Sequence, residues 1–553
     1  MILIKVDDFY NEFFGYINKH RYYEIKSKYY DLYVSLKYKK GFKDFKRDYV
    51  NLDSYVNKYN NNYLDSLECK TLDFVNGYSL DKYQRRIVLA DEDQAIVIAG
   101  AGTGKSLTIV GKVLYLVKEK NVSASDILCI SLTNEAVNNL KNNFKDRYNL
   151  DIDVFTFHKL ALNILDYNGI SYEIVPSKYL DYLVDYFFDK MYVDSFFRDV
   201  LIKLLGNYND KDIINLKKLI KTFINLYKGN GYSVSYFLTI LDKLKYKKSR
   251  YLVLIIFNVY LYYYDKLRSD SLIDFSDMIN LSYEVLVKYH YFKKYKYIII
   301  DEYQDTSLVK FKLIRELVKV CDAKLLVVGD DFQSIYRFTG CNLDVFLHFL
   351  DYFKYGKMFY LVNTYRNPQE LIDISGKFIC KNKKQVRKKL VSNKHINNPV
   401  IVYVKNNKVE ALKDALNYIG NKDIMVLGRN NFDINSYIDD SFKLEDGLYK
   451  YRNIHFRYLT MHKSKGLESE VVVIINAVDS LFGIPCKIKD EKILKYVNNT
   501  RDYYLYEEER RLFYVGLTRT KSRVYILTTD KQSIFVKEIL KYKNVVKKNK
   551  LFS

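Results

Sequence analysis

Tryptophan is absent from this chain of 553 residues and proline occurs only 4 times, while Lys, Asn, Ile, Tyr and Phe crowd it. An AT-rich genome writes such a bias without selection for any ligand, so the formal charge of +23 has two open readings. Either it carries the bias alone, or clustered Lys and Arg serve a polyanionic partner by neutralising phosphates and releasing counterions. The six cysteines, Cys69, Cys129, Cys321, Cys341, Cys380 and Cys486, never approach CxxC spacing. That argues against a zinc ribbon, an iron–sulfur cluster or a disulfide framework and fits a reducing interior. No apolar run reaches the length of a membrane span, and two acids interrupt the opening MILIKVDDFY where a signal peptide needs apolar residues. The expectation is a cytoplasmic protein with no membrane partner.

No long Gly-, Ser- or Pro-rich linker marks a boundary, so organisation is read from periodicity. Residues 1–76 place Tyr and Phe at helix-like intervals between charges and predict an accessory helical region. Short unbroken apolar runs, AIVIAG from Ala95 and YKYIIID from Tyr295, suit buried parallel strands covered by helices on both faces. Similar runs recur from KLLVVGD at Lys324 to RVYILTT, which ends at Thr529, and imply a second α/β unit. The expected division is 77–345 for the first unit, with a helical insertion at about 175–267, and 346–553 for the second.

AGAGTGKS, residues 99 to 106, follows the first of these strands and precedes a helical pattern. It matches a phosphate-binding loop except that Ala99 stands where the first Gly would be. Gly100, Gly102 and Gly104 let the backbone turn tightly around Ala101 and Thr103 and aim its N–H groups at phosphate oxygens, and the helix entered through Leu107 presents its positive end. Lys105 would reach the β and γ phosphates of ATP, and the Ser106 hydroxyl would bind Mg2+. The second strand, IIID, delivers Asp301 toward that magnesium, with Glu302 one residue on to orient or deprotonate the attacking water. Without a phosphate loop the same acids would be a solvated turn; with one, hydrolysis is the better reading.

Further segments stand in a fixed order around these two: SLDKYQ, SLTNEA, TFHKLAL, IDFSDM, VVGDDFQSIYRFTG, LVNTYRNPQEL, LTMHKSKGLESEVVVI and EEERRLFYVGLTRTK. Together, from about Gly77 to Thr529, they resemble the UvrD/Rep type of superfamily 1 DNA helicases, most closely the helicase IV group. The resemblance implies two RecA-like P-loop motor domains. It makes Gln84 the reader of the adenine edge, Tyr365 its stacking partner and Gln333 the sensor of the γ-phosphate. Arg366 and Arg519 would be arginine fingers from the second domain, and Glu468 would couple nucleotide to DNA. Thr133, Asn134, Thr156, His158, Thr460 and His462 would touch the strand backbone, and Phe275, Tyr336 and Phe338 would lie against bases. Stacking on flat rings tolerates any base, as a motor on arbitrary sequence requires; the competing reading of each ring is an ordinary core residue.

The chain departs from the family at Leu132, where Phe is usual, at Glu135, where Lys is frequent, at Phe338, where Trp is common, and mildly at Ser106 and Thr520. A large insertion expected before MHKSKGLE is missing or vestigial. The resemblance therefore implies an ATP-dependent helicase or translocase moving 3′ to 5′ on single-stranded and tailed duplex DNA. Two alternatives stay open: a DNA-stimulated ATPase of a repair or antiviral complex with little unwinding, and a non-catalytic DNA-binding scaffold.

Overall fold

The apolar runs pair in parallel. In the computed structural model, which describes residues 2–290, 292–498 and 505–551, six strands form one sheet. Their order is Asp153–Thr156, Ile127–Ser131, Tyr297–Ile300, Lys324–Gly329, Gln94–Ile98 and Gly356–Tyr360, all parallel. The two-residue alternation of a strand sends Ile96 and Ile98 into one helical layer with Phe157 and Leu160, and Val97 into the other with Ile109 and Val113. The strand Gly356–Tyr360 lies past the division expected after residue 345, yet it completes this first sheet by pairing with Gln94–Ile98. Its short MFY run carries too little periodic signal to be read as a strand from sequence.

A second sheet of eight strands follows the same logic. It runs Phe442–Glu445, Leu448–Tyr451, Ile454–Thr460, Ile424–Gly428, Ser469–Ile474, Thr520–Thr528, Val400–Val404 and Val545–Lys548. Its pairings are parallel except for the hairpin formed by the first two strands and its junction with Ile454–Thr460. That hairpin occupies the stretch where the family insertion would fall. The architecture is thus α/β, two RecA-like units with parallel sheets.

Five helices, from Tyr179–Met191 to Lys247–Ser269, pack around Phe223, Tyr227 and Phe237. Ile493 and Val497, from the second unit, are buried in the same cluster. Five more helices between Ile2 and Ser66 surround Phe9, whose ring meets Tyr29 and Phe45 edge-on at 5.3 and 5.0 Å. This bundle is fastened to the first unit through Glu92, which accepts from the Tyr16 hydroxyl at 2.6 Å and the Lys19 amide at 2.9 Å. No helix among the described residues is long and apolar enough to cross a membrane.

Candidate functional site

Three neighbouring strands of the first sheet converge at their C-terminal ends, where open α/β sheets bind ligands. Gln94–Ile98 releases the glycine loop, Tyr297–Ile300 releases Asp301, and Lys324–Gly329 between them releases Asp330. Gly102 and Gly104 have φ of +70° and +78°, conformations that suit glycine. They are also crowded: a Cβ on Gly102 would fall 2.5 Å from that of Arg366, and one on Gly104 would fall 2.5 Å from Nε2 of Gln84. Ala99, Ala101 and Thr103 are buried, and the Thr103 hydroxyl donates to the Gly100 carbonyl.

Lys105 donates to Glu302 Oε1 at 2.6 Å. Burial would lower its pKa, but Glu302, Asp301 and Asp330 outweigh that and hold it up. Burial and the neighbouring Glu302 carboxylate push Asp301 up to about 6. Glu302 goes the other way: against the cost of burial, Lys105 and Lys465 hold it down at about 2. Its backbone is left-handed, with φ +51°, a rare state for a residue with a side chain. Its amide donates to Asp301 Oδ1 at 2.8 Å, and Gln304 Nε2 donates to its carboxylate. A cavity of about 780 Å³ joins Ser106, Asp301 and Glu302 to Thr133, Tyr336 and Lys465. A hydroxyl and a carboxylate facing one open, oxygen-rich space fit a magnesium ion that keeps several waters.

The second unit reaches this site from several points. The Tyr365 amide donates to the Gly102 carbonyl at 2.9 Å and the Thr364 hydroxyl to the Ala101 carbonyl at 2.8 Å, which seats Arg366 against the loop. Arg366 Nε donates to Glu468 at 2.9 Å, and Glu468 also pairs with Lys521. Arg519, 1% exposed, donates from Nη2 to Gln333 Oε1 at 3.1 Å. Burial and the nearby Arg366 push it down to about 9, so it stays charged at neutral pH. Tyr365 is half exposed, with its hydroxyl on Asp81, beside Gln84. Gln84 is buried and engaged at both ends: its carbonyl accepts from the Asp81 amide in a capping box, and its amide donates to Thr103.

The residues expected along the strand fall into two groups. Thr133 and Thr156 are N-caps of the helices Asn134–Tyr148 and Phe157–Tyr167, so both sit where amide groups favour a phosphate. His158 meets the half-exposed ring of Phe275 edge-on at 5.3 Å. In the second group Phe338, 59% exposed, meets His462 edge-on at 5.8 Å. The Tyr336 hydroxyl donates to the His462 carbonyl at 3.3 Å. Thr460 is buried and caps the Lys463 amide. Phe338, Thr460 and His462 line a groove of about 560 Å³ that reaches Thr222 of the helical insertion.

Several site residues escaped sequence reasoning. Lys465, inside MHKSKGLE, crosses from the second unit to pair with Asp305 and donates to the Gln333 carbonyl at 2.8 Å. Lys388, 3% exposed, pairs with Asp330 and, at 2.6 Å, with Asp331. Buried Gln304 ties Glu302 to the Asp330 amide, which donates to its Oε1 at 2.8 Å.

Two parallel α/β units closing on a phosphate-binding loop, with acids from one and buried cations from the other, define a two-domain P-loop motor. The UvrD/REP helicase N-terminal domain matches residues 80–354, and the UvrD-like helicase C-terminal domain matches residues 443–531. The chain belongs to the UvrD/Rep helicase family. It is 26% identical to DNA helicase IV of Escherichia coli (strain K12) over 515 residues, covering 88% of this chain and 74% of that protein. It is 24% identical over 497 residues to a probable DNA helicase of Mycoplasma pneumoniae, covering 82% and 84%. With the ATP-dependent DNA helicase Rep of Buchnera aphidicola subsp. Schizaphis graminum it shares 29% over 376 residues, which is 64% of this chain and 54% of that one.

Proposed function

We propose that the chain is an ATP-dependent DNA helicase or translocase that steps 3′ to 5′ along single-stranded DNA and opens tailed duplexes. One arrangement carries this reading: cations of the second domain stand at the phosphate loop of the first, Arg366 packed on Gly102 and Arg519 bonded to Gln333. ATP on the loop would lie between Lys105 and the two guanidinium groups, so charge developing on the γ-phosphate meets fixed cations. Ser106 and Asp301 would hold magnesium, which neutralises phosphate charge when bound. Glu302, kept ionised by Lys105 and Lys465, is the carboxylate we assign to the attacking water. Closure on ATP and release after hydrolysis would slide one domain along the strand. Polarity rests on the family resemblance. The domain division we adopt follows Tyr360, with residues 2–66 as an accessory bundle.

The test is ATP turnover with and without oligo(dT), together with strand separation on duplexes carrying a 3′ or a 5′ tail. The expected result is DNA-stimulated turnover and unwinding from the 3′ tail; unwinding from 5′ tails alone would overturn the polarity. The hairpin Phe442–Tyr451 in place of a large insertion favours a second reading, a DNA-stimulated translocase with little unwinding of its own. Stimulated turnover with both duplexes left intact would select it.

A further inference from the structure

Arg337 lies between Tyr336 and Phe338, and sequence reasoning gives it no role. Its backbone amide donates to Glu508 Oε1 at 3.1 Å, its Nε to Glu508 Oε2 at 2.9 Å, and its Nη2 to Asp490 at 2.9 Å. Both acids belong to the second domain. The Arg337 and Glu508 side chains are 19% and 17% exposed, so their contact is largely removed from water, where charge-assisted bonds exceed those of solvated pairs.

Glu508 stands in the first turn of the helix Glu507–Leu517, and Arg519 follows that helix two residues past its end. The helix therefore holds one short segment of the first domain at three points. Arg519 binds Gln333, Arg511 Nε donates to the Ser334 carbonyl at 2.7 Å, and Glu508 binds Arg337. Eleven helical residues span about 16 Å as one stiff element. A displacement of the Arg337 end is carried to the end that presents Arg519.

We propose that Arg337 is a positioning residue: through Glu508 and the helix behind it, a DNA strand lying on Tyr336 and Phe338 promotes the seating of Arg519 at Gln333. This rests on the reading that single-stranded DNA runs over those two rings. A strand that fixes residues 336–338 fixes the Arg337 fork, and the fork fixes the helix. Without it, the second domain still meets Gln333 through Arg519, but DNA no longer assists. The effect belongs to turnover rather than to DNA affinity, because Arg337 directs its Nε and Nη2 to Glu508 and Asp490 of the second domain.

The experiment compares wild type, Arg337→Ala, Glu508→Ala and the exchanged pair Arg337→Glu with Glu508→Arg. ATP turnover is measured without DNA and over an oligo(dT) titration. Expected for Arg337→Ala is a DNA-stimulated kcat lower by about tenfold, with turnover without DNA and the half-saturating oligo(dT) concentration each within about threefold. The exchanged pair recovers most of the stimulation. Full stimulation in Arg337→Ala, or an exchanged pair no better than the single variants, overturns the proposal. A Förster pair on Lys120→Cys and Lys443→Cys, with Cys380→Ser, reads domain closure on oligo(dT) independently of hydrolysis. If wild type closes on oligo(dT) without stimulated turnover, the motor reading fails, and the coupling is judged by whether Arg337→Ala abolishes that closure. If wild type shows neither response, both readings fall.

Discussion

Nη2 of Arg519 lies 3.1 Å from Oε1 of Gln333, one residue in each domain and both buried. Gln333 is itself fixed, its Nε2 donating to Asp330 at 2.6 Å. A guanidinium held in so dry a place has little freedom to reorganise, as a group that stabilises developing charge requires. Arg519→Lys keeps a cation but loses the planar fork. The expected outcome is a kcat at saturating oligo(dT) lower by about a hundredfold or more, with affinity for a fluorescent ATP analogue within about threefold. An unchanged kcat would remove Arg519 from the chemistry.

Glu302 sits in a left-handed backbone, bonded to Lys105 at 2.6 Å. An incoming γ-phosphate competes for the same ammonium group, which would free the carboxylate beside the water to be activated. Glu302→Gln is nearly isosteric but accepts no proton, so it should bind ATP and oligo(dT) while hydrolysis falls by about 10²-fold or more. Lys105→Ala should instead weaken nucleotide binding as well. Equal ATPase rates with and without Lys105→Ala would return the scaffold alternative.

What could be read ahead of the structure was local. AGAGTGKS and IIIDEYQDTS each carry turn and ligand groups within about ten residues of the strand that releases them, and those two strands flank Lys324–Gly329 in the sheet. The pairs that escaped reading are long-range: Lys465 meets Asp305 across 160 positions, and Lys388 meets Asp330 across 58. No local spacing encodes such a pair, and in a chain with 89 Lys and Arg no single cation stands out. Exposure also sorts rings that composition could not: Phe275 and Phe338 face solvent, whereas Tyr336 is partly packed against Lys465, 4.9 Å from its ring centre.

Those exposed rings carry a separable prediction. Phe338→Ala should weaken oligo(dT) binding by about tenfold, since stacking on an aromatic ring is worth about 1–3 kcal/mol. Phe275→Ala should act similarly, and the loss should be indifferent to base composition. Neither change should alter the thermal midpoint much, because both rings already face water. Fluorescence anisotropy at fixed salt measures the first effect and a melting curve the second; a large loss of stability with unchanged affinity would assign both rings to packing.

Behind Phe275, Lys228 of the helical insertion is 5% exposed and donates to Asp274 at 2.6 Å and Asp277 at 2.8 Å. The Tyr263 hydroxyl adds a third bond, 2.8 Å to Asp274. Lys228→Met removes the cation and leaves two partly buried acids, Asp274 and Asp277, without it. The expected cost is about 3–5 kcal/mol, read as a lower urea midpoint. Adding Asp277→Asn should restore part of it, because one unpaired charge goes with it. A single variant as stable as wild type would mean that water already screens the pair.

His462 and His158 give the pH dependence a sign. Burial, then Arg429 and Lys465, hold His462 down at about 4; burial, then Lys310, do the same for His158. Both rings are therefore neutral at pH 7 in the folded protein, whereas an unfolded chain protonates them near about 6.5. As pH falls from that value toward about 4, the unfolded state takes up protons that the folded state refuses, so the stability these rings contribute above pH 6.5 drains away. His462→Gln cannot titrate, and its urea midpoint should fall less than that of wild type between pH 7.5 and pH 5. Carboxylates shared by the two proteins cancel in that difference. Parallel midpoints across the whole range would mean that His462 titrates as an ordinary exposed ring.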